Sequence, residues 1–281
     1  MRDHDVVISA YGVTMPPMIY GTAWKKERTA SLVEKAIELG FRGIDTACQP
    51  KHYQEAGVGQ GVAAALQRGL PREALYLQSK FTSLSGQDPR QIPYDPAAEL
   101  SEQVAQSFQR SLDNLQTTYL DCLVLHSPFP QWQQTWEVWQ AMEDIFARQG
   151  VKQLGISNCY DLRYLEKLYQ TAKVKPAIVQ NRFYAQTDYD RDLREFCRHH
   201  GILYQSFWTL TANPGVLSHP IVQTLMQKYR RTAAQIFFRY LTQMQIIPLT
   251  GTTSVLHMQE DLAIFDFALT ADECHSMDSL L

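Results

Sequence analysis

Six short apolar runs in the sequence end in polar or aromatic side chains that a hydrophobic core does not need. These side chains are Asp45, Lys80, His126, Ser157-Asn158, Gln180-Asn181 and Phe207-Trp208. An aspartate, a lysine and a histidine in one place suggest either a metal centre or a proton-transfer site. A metal centre is disfavoured because no histidine pair stands at ligand spacing beside a carboxylate, and because lysine is a poor ligand for zinc or iron.

A proton-transfer site needs a group that can release a proton, and Tyr53 follows Asp45 in the same connecting loop. A phenol with a pKa of about 10 is a slow acid or base at neutral pH, but a nearby ammonium favours its ionised form. A carboxylate would hold that ammonium charged and in position. We therefore predict a relay of Asp45, Lys80 and Tyr53, with His126 donating a hydrogen bond to a substrate oxygen.

A second group of residues has the composition of an anion cradle. Thr250-Gly251-Thr252-Thr253-Ser254 precedes a helical stretch, where free backbone N–H groups at a helix start would suit a phosphate. An ordinary threonine-rich helix cap explains the same residues equally well. Phe207 and Trp208 could stack on a flat nicotinamide ring, although aromatic side chains at such positions are more often part of a core.

The elements that must position these residues are eight apolar runs of strand length. They are Met18–Thr22, Gly43–Asp45, Leu75–Lys80, Leu120–His126, Val151–Ser157, Ala177–Asn181, Leu203–Trp208 and Gln245–Leu249. Amphipathic stretches separate them, as in the four-residue spacing of Leu100, Val104, Phe108 and Leu112. Strand followed by helix, eight times, predicts a closed (β/α)₈ TIM barrel whose strands all end at one face.

Length and charge narrow the classes of protein to consider. We predict that residues 1–281 form a single barrel domain, with an extra helix over Thr270–Leu281. The net charge of −3 and the pI near 6.2 leave no electrostatic footprint for nucleic acid or for an anionic membrane. The charged start, Met1–Asp5, and the five scattered cysteines without a CxxC spacing predict a cytoplasmic protein with reduced thiols.

Longer motifs join the candidate residues. They are Gly40-Phe41-Arg42-Gly43-Ile44-Asp45-Thr46-Ala47, Glu55-Ala56-Gly57-Val58-Gly59, the segment Ser111-Leu112 to Leu125-His126, Gly155-Ile156-Ser157-Asn158, and Val179-Gln180. In this combination the sequence resembles the aldo-keto reductases almost from end to end. Met15-Pro16 and Gly21-Thr22 are similar to the opening hairpin and the first barrel strand of that family.

The resemblance implies reduction of aldehydes or ketones with NADP(H), or else NAD(H), by a monomer or weak oligomer. It implies a catalytic tetrad of Asp45, Tyr53, Lys80 and His126, in which Tyr53 protonates the carbonyl oxygen as hydride arrives. It also implies that Ser157, Asn158 and Gln180 hold the cofactor carboxamide while Phe207 stacks on its ring. The other residues expected at the cofactor are Gly21, Thr22, Asp45, Trp208, Thr209, Leu210, Gly251, Thr252, Thr253, His257, Glu260 and Asp261. Trp24, Phe129 and Trp208 are the residues expected to wall the substrate pocket.

The sequence departs from the family pattern in four places. The tyrosine usually stands five residues after the aspartate, where this chain has Pro50, so we infer a short insertion that shifts it to Tyr53. Phe207 stands where tyrosine is usual. Gly251-Thr252 and His257 replace the usual Lys-Ser and Arg that grip the 2′-phosphate, which should weaken selection for NADP(H). The long C-terminal loop of narrowly specific members has no counterpart, which predicts an open pocket.

Three other functions compete with carbonyl reduction. Alcohol oxidation would use the same residues in the reverse direction. A cofactor-binding regulatory subunit of the same fold, with little turnover, is the alternative from a different class, although it would not need an acid relay. A metal-dependent barrel hydrolase would need ligands that the sequence does not offer.

Overall fold

Short strands rich in branched aliphatic side chains build the centre of the molecule, and the computed structural model describes residues 6–281. An antiparallel hairpin of β1 (Val7–Ile8) and β2 (Thr14–Met15) comes first. The parallel strands that follow are β3 (Ile19–Gly21), β4 (Gly43–Asp45), β5 (Tyr76–Phe81), β6 (Cys122–Leu125), β7 (Leu154–Ser157), β8 (Ile178–Arg182), β9 (Leu203–Phe207) and β10 (Ile246–Thr250). They close into a barrel in chain order, with β10 paired to both β9 and β3. The predicted eight-stranded barrel and its N-terminal hairpin are confirmed.

The α-helices that connect these strands are α1 (Thr29–Leu39), α2 (Glu55–Gln67), α3 (Leu100–Leu115), α4 (Trp132–Ala147), α5 (Leu162–Thr171), α6 (Arg191–His199), α7 (Pro214–Ser218), α8 (Pro220–Tyr229) and α9 (Ala233–Gln243). Helix α10 (Val255–Leu262) follows the last strand. The connection from β9 to β10 holds three α-helices, and every other connection within the barrel holds one α-helix. The predicted C-terminal helix is α11 (Ala271–Asp278), which begins with a capping box between Thr270 and Glu273.

Two apolar clusters hold the barrel together. The larger one lies between the strands and the helices and includes Val104 of α3 and Trp139 of α4, both fully buried. The smaller one fills the barrel near the strand starts, where Met15 of the hairpin packs with Ile19 and Ile178. The hairpin therefore covers the amino-terminal end of the barrel and seals it from water.

The carboxyl-terminal half of the barrel interior is polar instead. Because side chains alternate between the two faces of a strand, Gln78 and Lys80 of β5 point the same way, as do Gln180 and Arg182 of β8. This polar layer lies above the apolar cluster, at the face where barrel active sites are built. None of the helices within residues 6–281 is long and apolar enough to span a membrane. That the whole chain is one domain stays a prediction.

Candidate active site

A buried ion pair between Asp45 and Lys80 lies at the carboxyl end of the barrel. The Lys80 Nζ atom is 2.7 and 2.6 Å from the two carboxylate oxygens of Asp45 and 2.8 Å from the Thr46 carbonyl oxygen. Lys80 is 1% exposed and Asp45 is 3% exposed. Burial disfavours the ammonium, but the Asp45 carboxylate and the Tyr53 phenol outweigh it and raise the pKa of Lys80. Lys80 therefore stays charged at neutral pH.

Glutamine side chains from β5, β8 and β9 complete the surroundings of the Asp45 carboxylate. Gln78 Nε2 and Gln180 Nε2 donate to Asp45 Oδ1 at 2.8 and 3.0 Å. Both amides also donate to Gln205 Oε1, at 2.9 and 2.8 Å. A buried charge is tolerated when it is paired and fully hydrogen-bonded. These amides therefore fix the orientation of the carboxylate that holds Lys80.

Tyr53 reaches this ion pair from the loop after β4. Its ring centroid is 5.2 Å from Lys80 Nζ and 6.1 Å from the centroid of the His126 ring. Burial raises the pKa of the Tyr53 phenol; the Lys80 ammonium opposes that rise and the Asp45 carboxylate adds to it. Pro50, five residues after Asp45, is exposed. The structure thus brings Asp45, Tyr53, Lys80 and His126 together, with the phenol in its protonated form at neutral pH.

The loop that carries Tyr53 is held by a short turn. The backbone N–H groups of His52 and Tyr53 both donate to the Gln49 carbonyl oxygen, at 3.1 and 3.0 Å. The Gln49 side chain donates to the Gly86 carbonyl oxygen at 2.7 Å. The rings of Trp24 and His52 lie 4.1 Å apart between centroids. Gln49 and His52 of this loop therefore form part of the wall of the site.

Glu55 anchors the other side of the same loop. Its carboxylate accepts hydrogen bonds from Ser79, from Ser111 at 3.1 Å and from Asn114 at 3.0 Å. Burial raises the pKa of Glu55, and these donors partly oppose the rise. The start of α2 is thereby tied to both β5 and α3, which limits how far Tyr53 can move.

His126 directly follows β6 and is neutral. Burial, then the Lys80 ammonium and His52, hold the pKa of His126 well below its usual range. Its Nδ1 atom is 2.6 Å from the Thr82 hydroxyl, which has no other hydrogen-bond partner among residues 6–281. If Nδ1 carried the proton, the hydroxyl hydrogen would have no acceptor among these residues. We infer that Thr82 donates to Nδ1, which places the ring proton on Nε2 as a donor for a ligand.

A cavity of about 1120 Å³ lies above the tetrad. Most of the expected site residues line it: Gly21, Trp24, Asp45, Tyr53, His126, Ser157, Asn158, Gln180, Phe207, Trp208, Thr209, Leu210, Gly251, Thr252, Thr253, His257, Glu260 and Asp261. Thr22 and Lys80 are buried behind this lining. Phe129 does not line the cavity, because its side chain packs against the larger apolar cluster; Pro128 and Pro130 form the wall there.

One part of the cavity offers the polar groups that an amide needs. The Gln180 side-chain amide directs both N–H donors at protein acceptors, Asp45 and Gln205. Its side-chain oxygen Oε1 is therefore left to accept from a ligand. Asn158 Nδ2 donates to the His126 backbone carbonyl oxygen at 2.9 Å, and Ser157 Oγ donates to the Gln180 backbone carbonyl oxygen at 2.7 Å. These contacts fix the side chains that the sequence resemblance assigns to a carboxamide.

The opposite part of the cavity can hold an anion. Helix α10 begins there, with Ser254 accepting from the His257 N–H at 3.3 Å. The Lys25 ammonium donates to the Gly251 carbonyl oxygen. Burial, with Arg28 nearby, lowers the pKa of Lys25 to about 8, so the ammonium is charged at neutral pH. Burial raises the pKa of Asp261 to about 6.

Three residues of the cavity wall have backbones in the left-handed region. They are Trp24, Asn158 and Trp208, with φ angles of 64°, 53° and 57°. Residues with a Cβ atom rarely adopt this conformation, at a cost of roughly 1–3 kcal/mol each. Such strain is typical of ligand-binding loops, where it aims a side chain that a relaxed backbone would direct elsewhere.

Sequence reasoning missed five residues of the site: Lys25, Gln78, Thr82, Arg182 and Gln205. Four of them stand two positions from a predicted site residue on the same strand or its extension, so strand alternation alone would have found them. Lys25 lies in an irregular loop and carried no such signal. Within residues 6–281, no group of three or more His, Cys, Asp or Glu side chains is placed to hold a metal ion.

Comparisons with known proteins return the family that the motifs resemble. The family model described as "Aldo/keto reductase family" matches residues 14–281. An uncharacterized oxidoreductase of Bacillus subtilis, YtbE, is 30% identical over 96% of this chain and 90% of its own length. A glyoxal reductase of the same organism is 27% identical over 98% and 92%. The crystal structure of an aldo/keto reductase from Brucella melitensis superimposes with a TM-score of 0.85 at 26% identity, over 98% of this chain and 99% of that one.

The contact between Thr82 and His126 leads to a testable prediction. In Thr82→Val the hydroxyl donor is lost and both ring tautomers become accessible. We expect kcat to fall about tenfold, as for the loss of one useful hydrogen bond. Two-bond ¹H–¹⁵N NMR spectra of the wild type should show unprotonated Nδ1, and the ring should stay neutral below the usual histidine pKa of about 6.5.

The conservative variant Thr82→Ser keeps the hydroxyl and is the matched control, with kcat and tautomer close to those of the wild type. Equal kcat values and identical spectra for the wild type and Thr82→Val would show that Thr82 does not set the tautomer.

Proposed function

Because the chain belongs to the aldo/keto reductase family of oxidoreductases, we propose that it reduces small aldehydes or ketones to alcohols, with Tyr53 as the proton donor. The observation that carries this proposal is the position of the Tyr53 ring, 5.2 Å from the Lys80 ammonium and next to His126. When bound, a nicotinamide cofactor supplies the hydride that the carbonyl carbon receives. The carbonyl oxygen takes the phenolic proton, so the product is a neutral alcohol.

Each member of the tetrad has a distinct task in this proposal. His126 Nε2–H donates a hydrogen bond to the carbonyl oxygen and holds it beside Tyr53. Tyr53 releases its proton to that oxygen, and the Lys80 ammonium stabilises the phenolate that remains. Asp45 keeps Lys80 charged in a place where burial would otherwise favour the neutral amine. Solvent then returns a proton to Tyr53.

The cavity fits a nicotinamide dinucleotide. Ser157, Asn158 and Gln180 would hold the carboxamide, and Phe207 would stack on the ring. At the far end, Gly251 lies beside the Lys25 ammonium, since a Cβ atom on Gly251 would stand at an ordinary contact distance of 3.6 Å from Lys25 Nζ. Lys25 and His257 are the basic groups at this end, and the acidic residues Glu260 and Asp261 oppose them. This balance of charge supports only modest discrimination between NADP(H) and NAD(H). NADP(H) remains the first choice from the family, and NAD(H) the second.

We further propose that the chain represents a subgroup with a shifted tyrosine and an open substrate pocket. The tyrosine stands at position 53 and not at the usual position, which Pro50 occupies in this chain. The turn at Gln49 holds Tyr53 in place. Trp24 and Trp208 are 58% and 49% exposed, so the pocket selects weakly among small carbonyl compounds. Small dialdehydes belong among the substrates to test, because a relative is named a glyoxal reductase. A short C-terminal segment, a cytoplasmic location and a monomeric or weakly oligomeric state stay predictions.

The lowered pKa of Lys25 predicts how cofactor binding depends on pH. The ammonium attracts the cofactor phosphates, and it loses its proton as the pH rises through about 8. Affinity for NADH should therefore be highest below pH 8 and fall by up to about tenfold per pH unit above it. Affinity is best measured by calorimetry with NADH, because NADH lacks the 2′-phosphate whose own titration would add a second pH dependence. Lys25→Met should bind more weakly and lose the dependence; an unchanged slope in that variant would rule Lys25 out as its source.

The proposed function is tested by consumption of NADPH and NADH with a reactive aromatic aldehyde, in the wild type and in Tyr53→Phe. We expect turnover in the wild type and a loss of about 10²- to 10⁴-fold in kcat for the variant, as for removal of a general acid. The variant should still bind the cofactor. Tight cofactor binding without any turnover by the wild type would favour the regulatory subunit, and equal activity in both proteins would exclude Tyr53 as the acid.

A further inference from the structure

Arg182 ends strand β8 at the rim of the same cavity. It stands two residues after Gln180, so both side chains lie on the same side of the strand, with Arg182 one layer nearer to the loops. Its strand partner is Phe207, the ring expected beneath the nicotinamide. Arg182 lines the cavity together with Asn158 and Trp208. No part of the proposed reduction uses this cation.

The guanidinium is held by aromatic rings. Its Cζ atom lies 4.3 Å from the centroid of a Trp208 ring and 5.4 Å from the Tyr184 centroid. The Arg182 backbone N–H donates to the Tyr160 hydroxyl at 3.1 Å, and that hydroxyl donates to Asn158 Oδ1 at 3.3 Å. The position of Arg182 is thus linked to a residue expected at the cofactor carboxamide.

The Nε–H donor of Arg182 is buried, and no residue within 6–281 accepts a hydrogen bond from it. Arg72 offers a comparison with Arg182, because it also stacks on a ring. Its Cζ atom is 4.2 Å from the centroid of Tyr119. Arg72 donates from Nε to Thr117 at 3.1 Å and pairs with Asp121 at 2.9 Å. The Nε–H of Arg72 is therefore satisfied by a protein acceptor, unlike that of Arg182.

Arg231 also has a buried Nε without an acceptor among residues 6–281. What distinguishes Arg182 is its place on the wall of the cavity that holds the tetrad. An arginine fork is suited to carboxylate and phosphate oxygens, and rings that hold it flat reduce the entropy lost on binding. Asp45, which also lines this cavity, is already paired with Lys80.

We propose that Arg182 binds an oxyanionic group of a ligand in this cavity. The group is either a carboxylate on the carbonyl substrate or a phosphate of the cofactor. The substrate form of the proposal rests on the proposed carbonyl reduction and makes the enzyme selective for aldehydes that carry an acidic group. The cofactor form adds Arg182 to the residues that hold the pyrophosphate.

The experiment compares the wild type, Arg182→Met, Arg182→Lys and the control Arg163→Met, which removes an exposed cation from α5. Two readouts separate the two sources of the anion. The first is KM for 4-formylbenzoate and for its methyl ester, which present the same aldehyde with and without a carboxylate. The second is the Kd for NADPH and NADH by calorimetry, which needs no turnover. Circular dichroism establishes that each variant is folded.

A rise in KM of about 10- to 100-fold for 4-formylbenzoate in Arg182→Met, with the ester unaffected, would identify a substrate carboxylate. A similar rise in Kd for both cofactors would identify a cofactor phosphate. In either case Arg182→Lys should recover only part of the loss, because lysine keeps the charge without the fork. Values for Arg182→Met equal to those of Arg163→Met, in both readouts, would overturn the proposal.

Failure of the proposed function gives a different result. If the wild type reduces neither aldehyde, carbonyl reduction is wrong, but calorimetry with the cofactors and with 4-formylbenzoate still tests Arg182. Weaker binding of any of these anions to folded Arg182→Met would then support the oxyanion site independently of turnover, and unchanged binding of all of them would overturn it.

Discussion

Two opposite charges, Asp45 and Lys80, lie side by side where bulk water scarcely reaches them, and the chemistry of the site depends on their staying charged. The attraction between two buried ions seldom repays their desolvation unless further hydrogen bonds satisfy them. Gln78, Gln180 and the Thr46 carbonyl oxygen supply those bonds. The result is a permanent ammonium directly beneath the Tyr53 ring.

The rest of the barrel is arranged around this constraint. Its amino-terminal half is filled by an apolar cluster, and the hairpin residue Met15 helps to seal it, so water does not reach the ion pair from below. The carboxyl-terminal half carries the glutamine amides that orient the carboxylate. The loops beyond it carry residues with left-handed backbones, among them Asn158 and Trp208, that face the cavity. Stability and function are therefore concentrated at opposite ends of the same strands.

The fold could be predicted because the barrel strands are continuous apolar runs separated by amphipathic helices. Three members of the tetrad could also be placed, because Asp45, Lys80 and His126 lie within one residue of the carboxyl end of a strand. Tyr53 lies in a loop of unusual length, and its position depends on the Gln49 turn and the Glu55 contacts, which no local pattern reveals. The two-residue alternation of side chains along a strand would have identified Gln78, Thr82, Gln205 and Arg182 as site residues.

Loop side chains were harder to place, since tertiary packing decides where they point. Phe129 was expected at the substrate pocket, but the larger apolar cluster draws it away and leaves two prolines at the wall. Lys25 reaches the end of the cavity at the start of α10 from an irregular loop, so it could not be assigned from the sequence alone. The strand ends are thus defined by local sequence, whereas the loops that complete the site are defined by contacts across it.

The central claim, that the Lys80 ammonium acts on the Tyr53 phenol, is tested most directly by titrating that phenol. ¹³Cζ-tyrosine NMR would follow Tyr53 in the wild type and in Lys80→Met, with its signal assigned from a variant that lacks it. Burial places the wild-type pKa above the usual value for tyrosine, and Lys80 opposes that rise. We predict a still higher pKa of Tyr53 in folded Lys80→Met. An equal or lower pKa there would contradict it, because the ammonium would then not stabilise the phenolate.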